Sequence, residues 1–367
     1  MHLYIHVPFC ARRCSYCDFA IAVRRDVPSV RFAELVLREW AGWQSHPVWG
    51  RSPRVSTLYF GGGTPSRLAP EAIARIIEQV WSDRGLDRGA EITLEANPDD
   101  VTAAAVEAWR AGGVNRVSLG AQSFDPGVLR WMHRTHDARQ IGRAVELIRA
   151  GGIGELSLDL IFGLPGILDR DWDADLNRAL ALQPDHLSLY GLTIEARTPL
   201  ARWAARGAVT PVDDERYAGE FVAAHQRLEG AGFEHYEVSN YGRGGRRARH
   251  NSAYWRRAPY IGLGPSAHSA MDDQRQWNQR EWAAYERRLE DGSPAVEGEE
   301  RLSPQEVRLE ELYLGLRTAD GLPAERVPAE TTGRWTASGW ARVSDGRLRL
   351  TPEGWLRLDA LVASVSG

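Results

Sequence analysis

The chain has 367 residues, 43% of them hydrophobic and 26% charged, which is enough apolar material for a large core and one smaller domain. The formal net charge of −4 provides no general basic field, so we do not expect nucleic acid as a partner. No apolar run reaches the roughly 18 residues that cross a bilayer, and the first strand-like segment is too short for a signal peptide, so we expect a cytoplasmic protein. All 45 basic residues are arginine, which excludes mechanisms that need a Schiff-base or phosphate-loop lysine.

A short strand, predicted at residues 3–7, leads into the only three cysteines of the chain, Cys10, Cys14 and Cys17. A reducing cytoplasm and an odd number of clustered thiols favour a metal site over disulfides. One interpretation is structural zinc, with His6 as a fourth ligand. The other is an iron–sulfur cluster, in which three cysteines would leave one iron open to a small molecule.

Strand and helix patterns alternate after the cysteine loop. Further strands are predicted in TLYFGGGTP (57–65), EITLEANP (91–98), NRVSLGAQSF (115–124), GELSLDLIFGLP (154–165) and DHLSLYGL (185–192). Apolar residues at helical spacing lie between them, as in Ile73, Ile76, Ile77 and Val80 and in Ile141, Ala144, Val145 and Ile148. About six strands joined by helices predict a parallel sheet or barrel, and therefore an α/β fold.

Polar and apolar residues alternate within three of these strands. The apolar side, for example Ile92 and Leu94, is expected to face the helices, and the polar side to face the inside of a barrel. Glu95, Gln122 and Asp159 would then enter one cavity at the carboxyl ends of the strands, where barrel sites are built. Taken alone, each could instead anchor a loop. The glycines of GGGTP allow either a tight turn or the close approach of backbone to a ligand.

The pattern changes at the carboxyl-terminal end of the chain. Ser303 and Glu306 predict a capped helix start, residues 343–350 predict a hairpin, and a second capped helix follows it. We expect a small α+β domain, similar to a winged helix, that packs on the barrel or contacts a partner. The predicted division is a barrel (1–210), a linking region (211–298) and this C-terminal domain (299–367).

Several motifs in one order resemble the radical S-adenosylmethionine (SAM) superfamily. One is C-x3-C-x2-C with an aromatic residue, Tyr16, before the last cysteine. Together YIHVPFC, YFGGGTPS, LEANPDD, GAQSFD, LDLIFGLPG, HLSLYGLTIE and YEVSNY are similar to the oxygen-independent coproporphyrinogen III oxidase family and its haem-chaperone relatives of the HemW type. The resemblance implies a partial (β/α)6 barrel that carries a [4Fe–4S] cluster and SAM.

The resemblance also implies the roles of individual residues. The cluster ligands would be Cys10, Cys14 and Cys17, and the open iron would bind the amine and carboxylate of SAM. The positions that match SAM contacts are Tyr4, Gly62, Gly63, Thr64, Glu95, Gln122, Arg134 and Asp159. Arg134 suits such a contact because a guanidinium can hold a carboxylate through two hydrogen bonds.

Three features resemble the haem chaperones more than the oxidases. The oxidases have a further cysteine two residues after the third, where this chain has Phe19. They also have a longer segment before the cluster motif, whereas Cys10 here follows only a short one. Finally, residues 250–255 read HNSAYW, which matches the H-N-x-x-Y-W motif of the chaperone branch.

The HNSAYW match implies haem contacts by His250, Tyr254 and Trp255, and His268 is a second candidate for the axial ligand. Flat aromatic side chains suit a porphyrin face. The nearby arginines that could pair with its propionates, or could simply be solvated, are Arg243, Arg246, Arg247 and Arg249. Implied partners are haem, haem-accepting proteins that include membrane-associated ones, and an electron donor if SAM is cleaved.

Two alternative functions stay open. One is oxygen-independent coproporphyrinogen III oxidation, in which a 5′-deoxyadenosyl radical removes a propionate β-hydrogen before decarboxylation. The other is radical chemistry on an unrecognised substrate. The sequence therefore leaves undecided whether the protein is an enzyme.

Overall fold

The computed structural model describes residues 1–365, and its largest element is a twelve-stranded sheet. The strands in chain order are β1 (His2–Val7), β2 (Phe9–Cys10), β3 (Ala22–Val23), β4 (Val55–Gly62), β5 (Leu86–Ala96), β6 (Arg116–Gln122), β7 (Glu155–Phe162), β8 (His186–Gly191), β9 (Phe233–Glu237), β10 (Asn240–Arg243), β11 (Tyr260–Leu263), β12 (His268–Met271), β13 (Gln274–Asn278), β14 (Val296–Arg301), β15 (Leu322–Pro323), β16 (Ala341–Ser344) and β17 (Arg347–Leu350).

The α-helices are α1 (Ser29–Trp43), α2 (Pro70–Arg84), α3 (Ala103–Ala111), α4 (Pro126–Trp131), α5 (Ala138–Ala150), α6 (Trp172–Ala181), α7 (Pro199–Ala205), α8 (Asp214–Gly230), α9 (Arg249–Trp255), α10 (Trp282–Glu290), α11 (Pro304–Leu316), α12 (Ala329–Ala337), α13 (Pro352–Trp355) and α14 (Leu358–Ala363). Among residues 1–365, none of the helices combines the length and the apolar character that a membrane span requires.

Seven strands of the sheet are parallel, and six of them follow the predicted alternation of strand and helix. These six are β1, β4, β5, β6, β7 and β8, neighbours in that order. β11 pairs in parallel with the other side of β1, and β12, β13 and β14 continue the sheet antiparallel. At the far end β10 and β9 add two antiparallel strands beside β8. The two outermost strands are thus β14 and β9, so the sheet is open, in agreement with a partial barrel.

Apolar side chains between the sheet and its helices form the core. Ile92 and Leu94 of β5 are at most 4% exposed, and Ile73 and Ile76 of α2 are at most 1% exposed. Burial of each such side chain contributes about 1.5–3 kcal/mol of transfer free energy. Since the helices cover this side, the polar side of the same strands is left to form the inner wall, as the alternation predicts.

Residues 211–298, predicted as a linking region, contribute strands to the same sheet and also form α8, α9 and α10. They supply β9 to β13 and the first residues of β14. The strand predictions did not include these short elements. Their signal was present in the alternating runs on either side of GPSAHS and in MDDQRQWN, where Gly-Pro and Asp-Asp pairs are typical of turns.

The C-terminal domain has most of the elements that its sequence predicts. Ser303 caps α11 and Glu306 completes the capping box. β16 and β17 pair as a hairpin, with β15 as a third strand. The last predicted helix is instead divided into α13 and α14. An ion pair of 2.9 Å between Arg317 and the fully buried Glu237 fastens the domain to the large sheet.

One carboxyl group joins α1 to the antiparallel half of the sheet. Glu39 accepts hydrogen bonds from the Gly264 backbone at 2.8 Å, the Tyr285 hydroxyl at 2.7 Å and the Asn278 amide at 2.6 Å. Tyr285 and Asn278 are buried, so water is not available as a replacement acceptor. Burial raises the pKa of Glu39 to about 7, although the three hydrogen bonds oppose that rise.

Replacing Glu39 with alanine is expected to lower the free energy of unfolding by about 2–4 kcal/mol, because three donors lose their acceptor. Glu34→Ala, at an exposed position of the same helix, is the matched control; it should change this free energy by less than about 0.5 kcal/mol. Urea denaturation measures both values. Equal effects of the two substitutions would contradict the role given to Glu39.

Candidate functional site

A cavity of about 550 Å³ opens at the carboxyl ends of the parallel strands. The cysteine loop and the last residues of β4 to β8 meet there. Its lining includes these predicted site residues: Cys10, Cys14, Cys17, Gly62, Gly63, Thr64, Glu95, Gln122, Arg134 and Asp159. Positions far apart in the chain therefore share one cavity, and the alternation had predicted this for Glu95, Gln122 and Asp159.

The three cysteines line the cavity on one loop, but their thiols do not surround a single-ion site. Cys10 ends β2, which pairs with β3, and Cys14 and Cys17 follow on an irregular segment. Among the described residues, no three His, Cys, Asp or Glu side chains are arranged to hold a metal ion. Burial raises the pKa of Cys10, and it raises that of Cys17 to about 11. Binding of a metal centre must therefore release the protons of these thiols.

Two hydrogen-bond donors point at the cysteine sulfurs. The Thr64 hydroxyl donates to the sulfur of Cys10 at 3.4 Å, and the Arg134 guanidinium donates to that of Cys14 at 3.6 Å. Such donors stabilise a thiolate over a thiol. Three thiols beside a hydroxyl and a guanidinium are a donor set that fits a [4Fe–4S] cluster held by three cysteines.

Gly62 and Gly63 make room for neighbouring protein groups at the strand ends. Gly62 has a φ of 111°, and a Cβ there would lie 2.6 Å from the His6 ring. A Cβ on Gly63 would lie 2.9 Å from the backbone that follows β1. His6 is buried, and its ring nitrogens are hydrogen-bonded to the Ala20 carbonyl and the Tyr4 hydroxyl. The zinc interpretation therefore lacks its fourth ligand in this arrangement.

Two carboxyl groups, Glu95 and Asp159, lie in the inner wall of the cavity. Glu95 accepts hydrogen bonds from the Tyr59 hydroxyl at 2.8 Å and the Gly62 backbone at 3.0 Å. Asp159 accepts from the Ser118 hydroxyl at 2.9 Å. Burial raises the pKa of both groups, and the charge of Asp159 adds to the rise for Glu95, whose pKa reaches about 7. This acidic wall favours a ligand that brings positive charge.

Arg134 is held against the ends of β5 and β6. Its guanidinium donates to the Asn97 side chain at 2.5 Å and to the Gly120 carbonyl at 2.9 Å. A Cβ on Gly120 would lie 2.9 Å from the Gln122 amide and 3.2 Å from Arg134, so a larger residue there would displace both side chains. Gln122 has a φ of 67° at an irregularity between β6 and β7. Backbone strain of this kind clusters at functional sites.

Tyr4, the remaining residue of the predicted SAM set, does not line the main cavity. Its hydroxyl is hydrogen-bonded to Nδ1 of His6 at 3.1 Å, and its ring stacks with Tyr59 at 6.0 Å between centroids. It lines a separate cleft together with Tyr254 and His268. In this arrangement Tyr4 therefore does not contact a ligand in the main cavity.

The HNSAYW segment forms α9, near the amino ends of β1, β4 and β5. His250 is 1% exposed; its Nδ1 is hydrogen-bonded to the Thr57 hydroxyl and its Nε2 to the Tyr254 hydroxyl, both at 2.7 Å. Its ring stacks on Tyr59 at 5.0 Å between centroids. Burial lowers the pKa of His250 to about 3, so the imidazole is neutral. Both nitrogens have protein partners, and one must be released before His250 can bind iron.

The other predicted haem contacts near this motif are also engaged with protein. Arg317 lies over the Trp255 ring, 4.2 Å from its centroid. The four arginines have partners as follows: Arg243 donates to Ala231, Arg246 pairs with Glu155 and Asp185, Arg247 pairs with Glu234 and Asp320, and Arg249 donates to Ser56 and Gly89. Propionate pairing by these arginines would require those contacts to be exchanged.

The sequence interpretation missed residues that hold the predicted ones in place. Tyr59 lies between Glu95 and His250 and contacts both. Glu91 accepts hydrogen bonds from the backbone N–H groups of Arg249 and His250, at 2.9 and 2.8 Å. These N–H groups at the start of α9 have no partner within the helix, so Glu91 supplies one. Tyr59 and Glu91 lie on the polar side of β4 and β5, so the strand alternation was the signal that could have found them.

Two substitutions test why the pKa of Glu95 is raised. Asp159→Asn is expected to lower the pKa of Glu95 from about 7, because it removes a neighbouring negative charge. Tyr59→Phe is expected to raise that pKa, because the carboxylate loses an O–H donor. Difference infrared spectroscopy of the carboxyl band measures both, with Glu95→Gln to assign the band and exposed Asp99→Asn as a control. A pKa unchanged in both variants would contradict these electrostatics.

Known proteins are similar in sequence to this chain over most of its length. Residues 4–179 match the sequence profile of the Radical SAM superfamily. The heme chaperone HemW of Synechocystis sp. is 40% identical over 336 residues, which cover 89% of this chain and 80% of that protein. The heme chaperone HemW of Mycobacterium tuberculosis is 36% identical over 368 residues, which cover 100% of this chain and 94% of that protein.

A solved structure shares the fold. Coproporphyrinogen III oxidase (HemN) from Escherichia coli, a radical SAM enzyme, matches with a TM-score of 0.81 over 99% of this chain and 89% of its own, at 21% identity. The likeness shows that the α/β sheet and the C-terminal domain form a radical SAM fold. Because much higher identity to HemW proteins extends over nearly the whole sequence, this chain belongs to the HemW family of the radical SAM superfamily.

Proposed function

We propose that this protein binds haem, together with a [4Fe–4S] cluster and SAM, and delivers the haem to haem-dependent proteins. The observation that carries the proposal is the 40% identity to a heme chaperone HemW across 89% of the chain. HNSAYW at 250–255, and Phe19 where the oxidases have a further cysteine, support it. The proposed location is the cytoplasm, where free thiols such as these persist. The proposed recipients include membrane-associated proteins.

The main cavity is the proposed place of the cluster and SAM. Cys10, Cys14 and Cys17 would hold three irons of the cluster, and the fourth would be left for the amine and carboxylate of SAM. When bound, the cluster supplies an electron that can cleave the sulfonium of SAM, and an electron donor is then a further partner. Arg134 can pair with a carboxylate, and the acidic wall at Glu95 suits a sulfonium or an ammonium group.

The remaining residues of the cavity support this assignment through their positions. Gly62 presents its backbone at the cavity wall, and the Thr64 hydroxyl is directed at a cluster cysteine. Gln122 holds a strained backbone conformation at the end of β6, with its side chain near Arg134. These contacts fix polar groups around a ligand site before any ligand arrives, which lowers the reorganisation needed on binding.

Haem is proposed to bind on the α9 side of the protein. Tyr254 lines two clefts of about 270 Å³ each, and Trp255 lines one of them. His250 supports this region through its hydrogen bond to Tyr254. The HNSAYW segment therefore contributes the aromatic side chains of Tyr254 and Trp255. The buried His250 positions Tyr254.

Coproporphyrinogen III oxidation is the main alternative function that the sequence leaves open. The solved oxidase supports the architecture, but a shared fold at 21% identity does not carry the reaction to this chain. The two functions have different outcomes. A chaperone passes haem on unchanged, whereas the oxidase reaction converts propionates to vinyl groups and releases carbon dioxide.

Anaerobic reconstitution with iron and sulfide is expected to load about four irons per chain. Cys10→Ser, Cys14→Ser and Cys17→Ser should each remove most of that iron, because each substitution takes away a thiolate ligand. Ser15→Ala, in the same loop, is the matched control and should load normally. Iron analysis and Mössbauer spectroscopy measure the outcome. A cluster that survives all three cysteine substitutions would contradict the ligand assignment.

Cluster-loaded protein is expected to bind ferric haem in an equimolar, saturable way, followed by its Soret absorbance. Mixing with a haem-free acceptor protein should transfer the haem, because a chaperone must release what it binds. The same preparation, given coproporphyrinogen III, SAM and a reductant, should release no carbon dioxide. Turnover of coproporphyrinogen without haem binding would reject the chaperone and establish the oxidase.

A further inference from the structure

A second cleft, of about 270 Å³, lies beside the cysteine loop. Residues of β1, the cysteine loop, α9 and the antiparallel strands all contribute to its lining. Those that matter for its chemistry are Phe19, Tyr254, Tyr260, His268 and Arg280. The cleft thus brings the cysteine loop and the HNSAYW helix to a common surface beside the main cavity, with which it shares Asp18 and Phe19.

Paired residues on neighbouring strands form one side of this cleft. Tyr4 of β1 is paired with Gly262, and His268 of β12 is paired with Trp277, which is paired in turn with Gly298. A side chain on Gly262 would collide with the backbone of His268, and one on Gly298 would collide with the indole of Trp277. Gly262 therefore allows the close approach of the β11 and β12 backbones, and Gly298 leaves room for the indole of Trp277. These two rings stack at 6.0 Å between centroids, which orients the imidazole.

The side chain of His268 is exposed to solvent. All ten histidines lie within the described residues, and His268 is the exposed one, whereas the others are buried or half-buried. Within residues 1–365 no hydrogen bond occupies its ring nitrogens. His250, by contrast, is 1% exposed and hydrogen-bonded at both nitrogens. An axial ligand must present a free nitrogen lone pair, and His268 meets this requirement.

The rest of the cleft suits a flat aromatic molecule that carries carboxylates. Tyr254 and Tyr260 meet edge to face at 4.5 Å between ring centroids, and the side chain of Phe19 is 61% exposed. Arg280 donates to the backbone carbonyl of Asp18 at 3.0 Å and lies 4.0 Å from its carboxylate. That carboxylate is paired more closely with Arg197, at 3.2 Å. The Arg280 guanidinium therefore keeps donors for a second anion.

We propose that haem binds in this cleft with its iron at His268, its ring against Tyr254 and Tyr260, and one propionate toward Arg280. The assignment rests on the proposed haem function and deepens it, because His268 takes the place of His250 as the axial ligand. The cleft is smaller than the roughly 300–1,000 Å³ of a typical ligand pocket, so part of the macrocycle stays exposed. An exposed edge suits a protein that must hand its ligand to another.

Titration of ferric haem into the reconstituted full chain tests the assignment. His268→Gly is expected to shift the Soret band and to weaken binding by at least about tenfold. Added imidazole should then restore the wild-type spectrum, because it can enter the space that the side chain has left. His268→Gln should show the same shift with an unchanged melting temperature, which separates ligand loss from misfolding. His225→Gln, on α8, is the matched histidine control and should behave as wild type.

Further variants separate the outcomes. His250→Gln should keep the Soret band and the electron paramagnetic resonance signature of imidazole ligation, and Arg280→Gln should weaken binding without moving the band. If His250→Gln loses that signature while His268→Gly keeps it, the haem function stands and this assignment is wrong. A tyrosinate signature in the wild type would overturn it in the same way. Absence of haem binding by the wild type would reject the proposed function, and the assignment with it.

Discussion

The pairing of β1 on both of its sides is the constraint on which the two clefts depend. β1 is parallel to β4 on one side and to β11 on the other, so its backbone is hydrogen-bonded along both edges. The chain that leaves its carboxyl end carries the cysteines. Because this end stands between β4, on the side of the main cavity, and β11, on the side of the antiparallel strands, one loop lines both the main cavity and the second cleft.

The inner side of the barrel is polar, and its groups must find partners because little water reaches them. A connected series of side chains meets this need. His250 is hydrogen-bonded to Thr57 and stacks on Tyr59; Tyr59 donates to Glu95, which also accepts from the backbone of Gly62. The series runs from α9 at the amino ends of the strands to the cavity at their carboxyl ends. The charge of Glu95 is therefore one hydrogen bond from the ring that covers His250.

Alternation along a strand indicated which face a side chain occupies, but not how far along the strand it lies. Glu95 and Asp159 reach the main cavity because they stand near the ends of β5 and β7. Tyr4 shares the inner face of β1 but lies two residues before His6, whose ring fills the space next to Gly62. The same face therefore supplies residues to two different clefts. The position of a residue along its strand determines which of the two it lines.

The sequence by itself determined the positions of six of the parallel strands along the chain, the cysteine loop and the family, because these features depend on periodicities and motifs of a few residues. The tertiary structure decided that β9 to β14 extend the sheet, that His250 is enclosed and that His268 is exposed. Burial of a side chain depends on which distant segments pack against it. The Thr57 hydroxyl that bonds the His250 ring is 193 positions away in the chain, and no local pattern around HNSAYW records that contact.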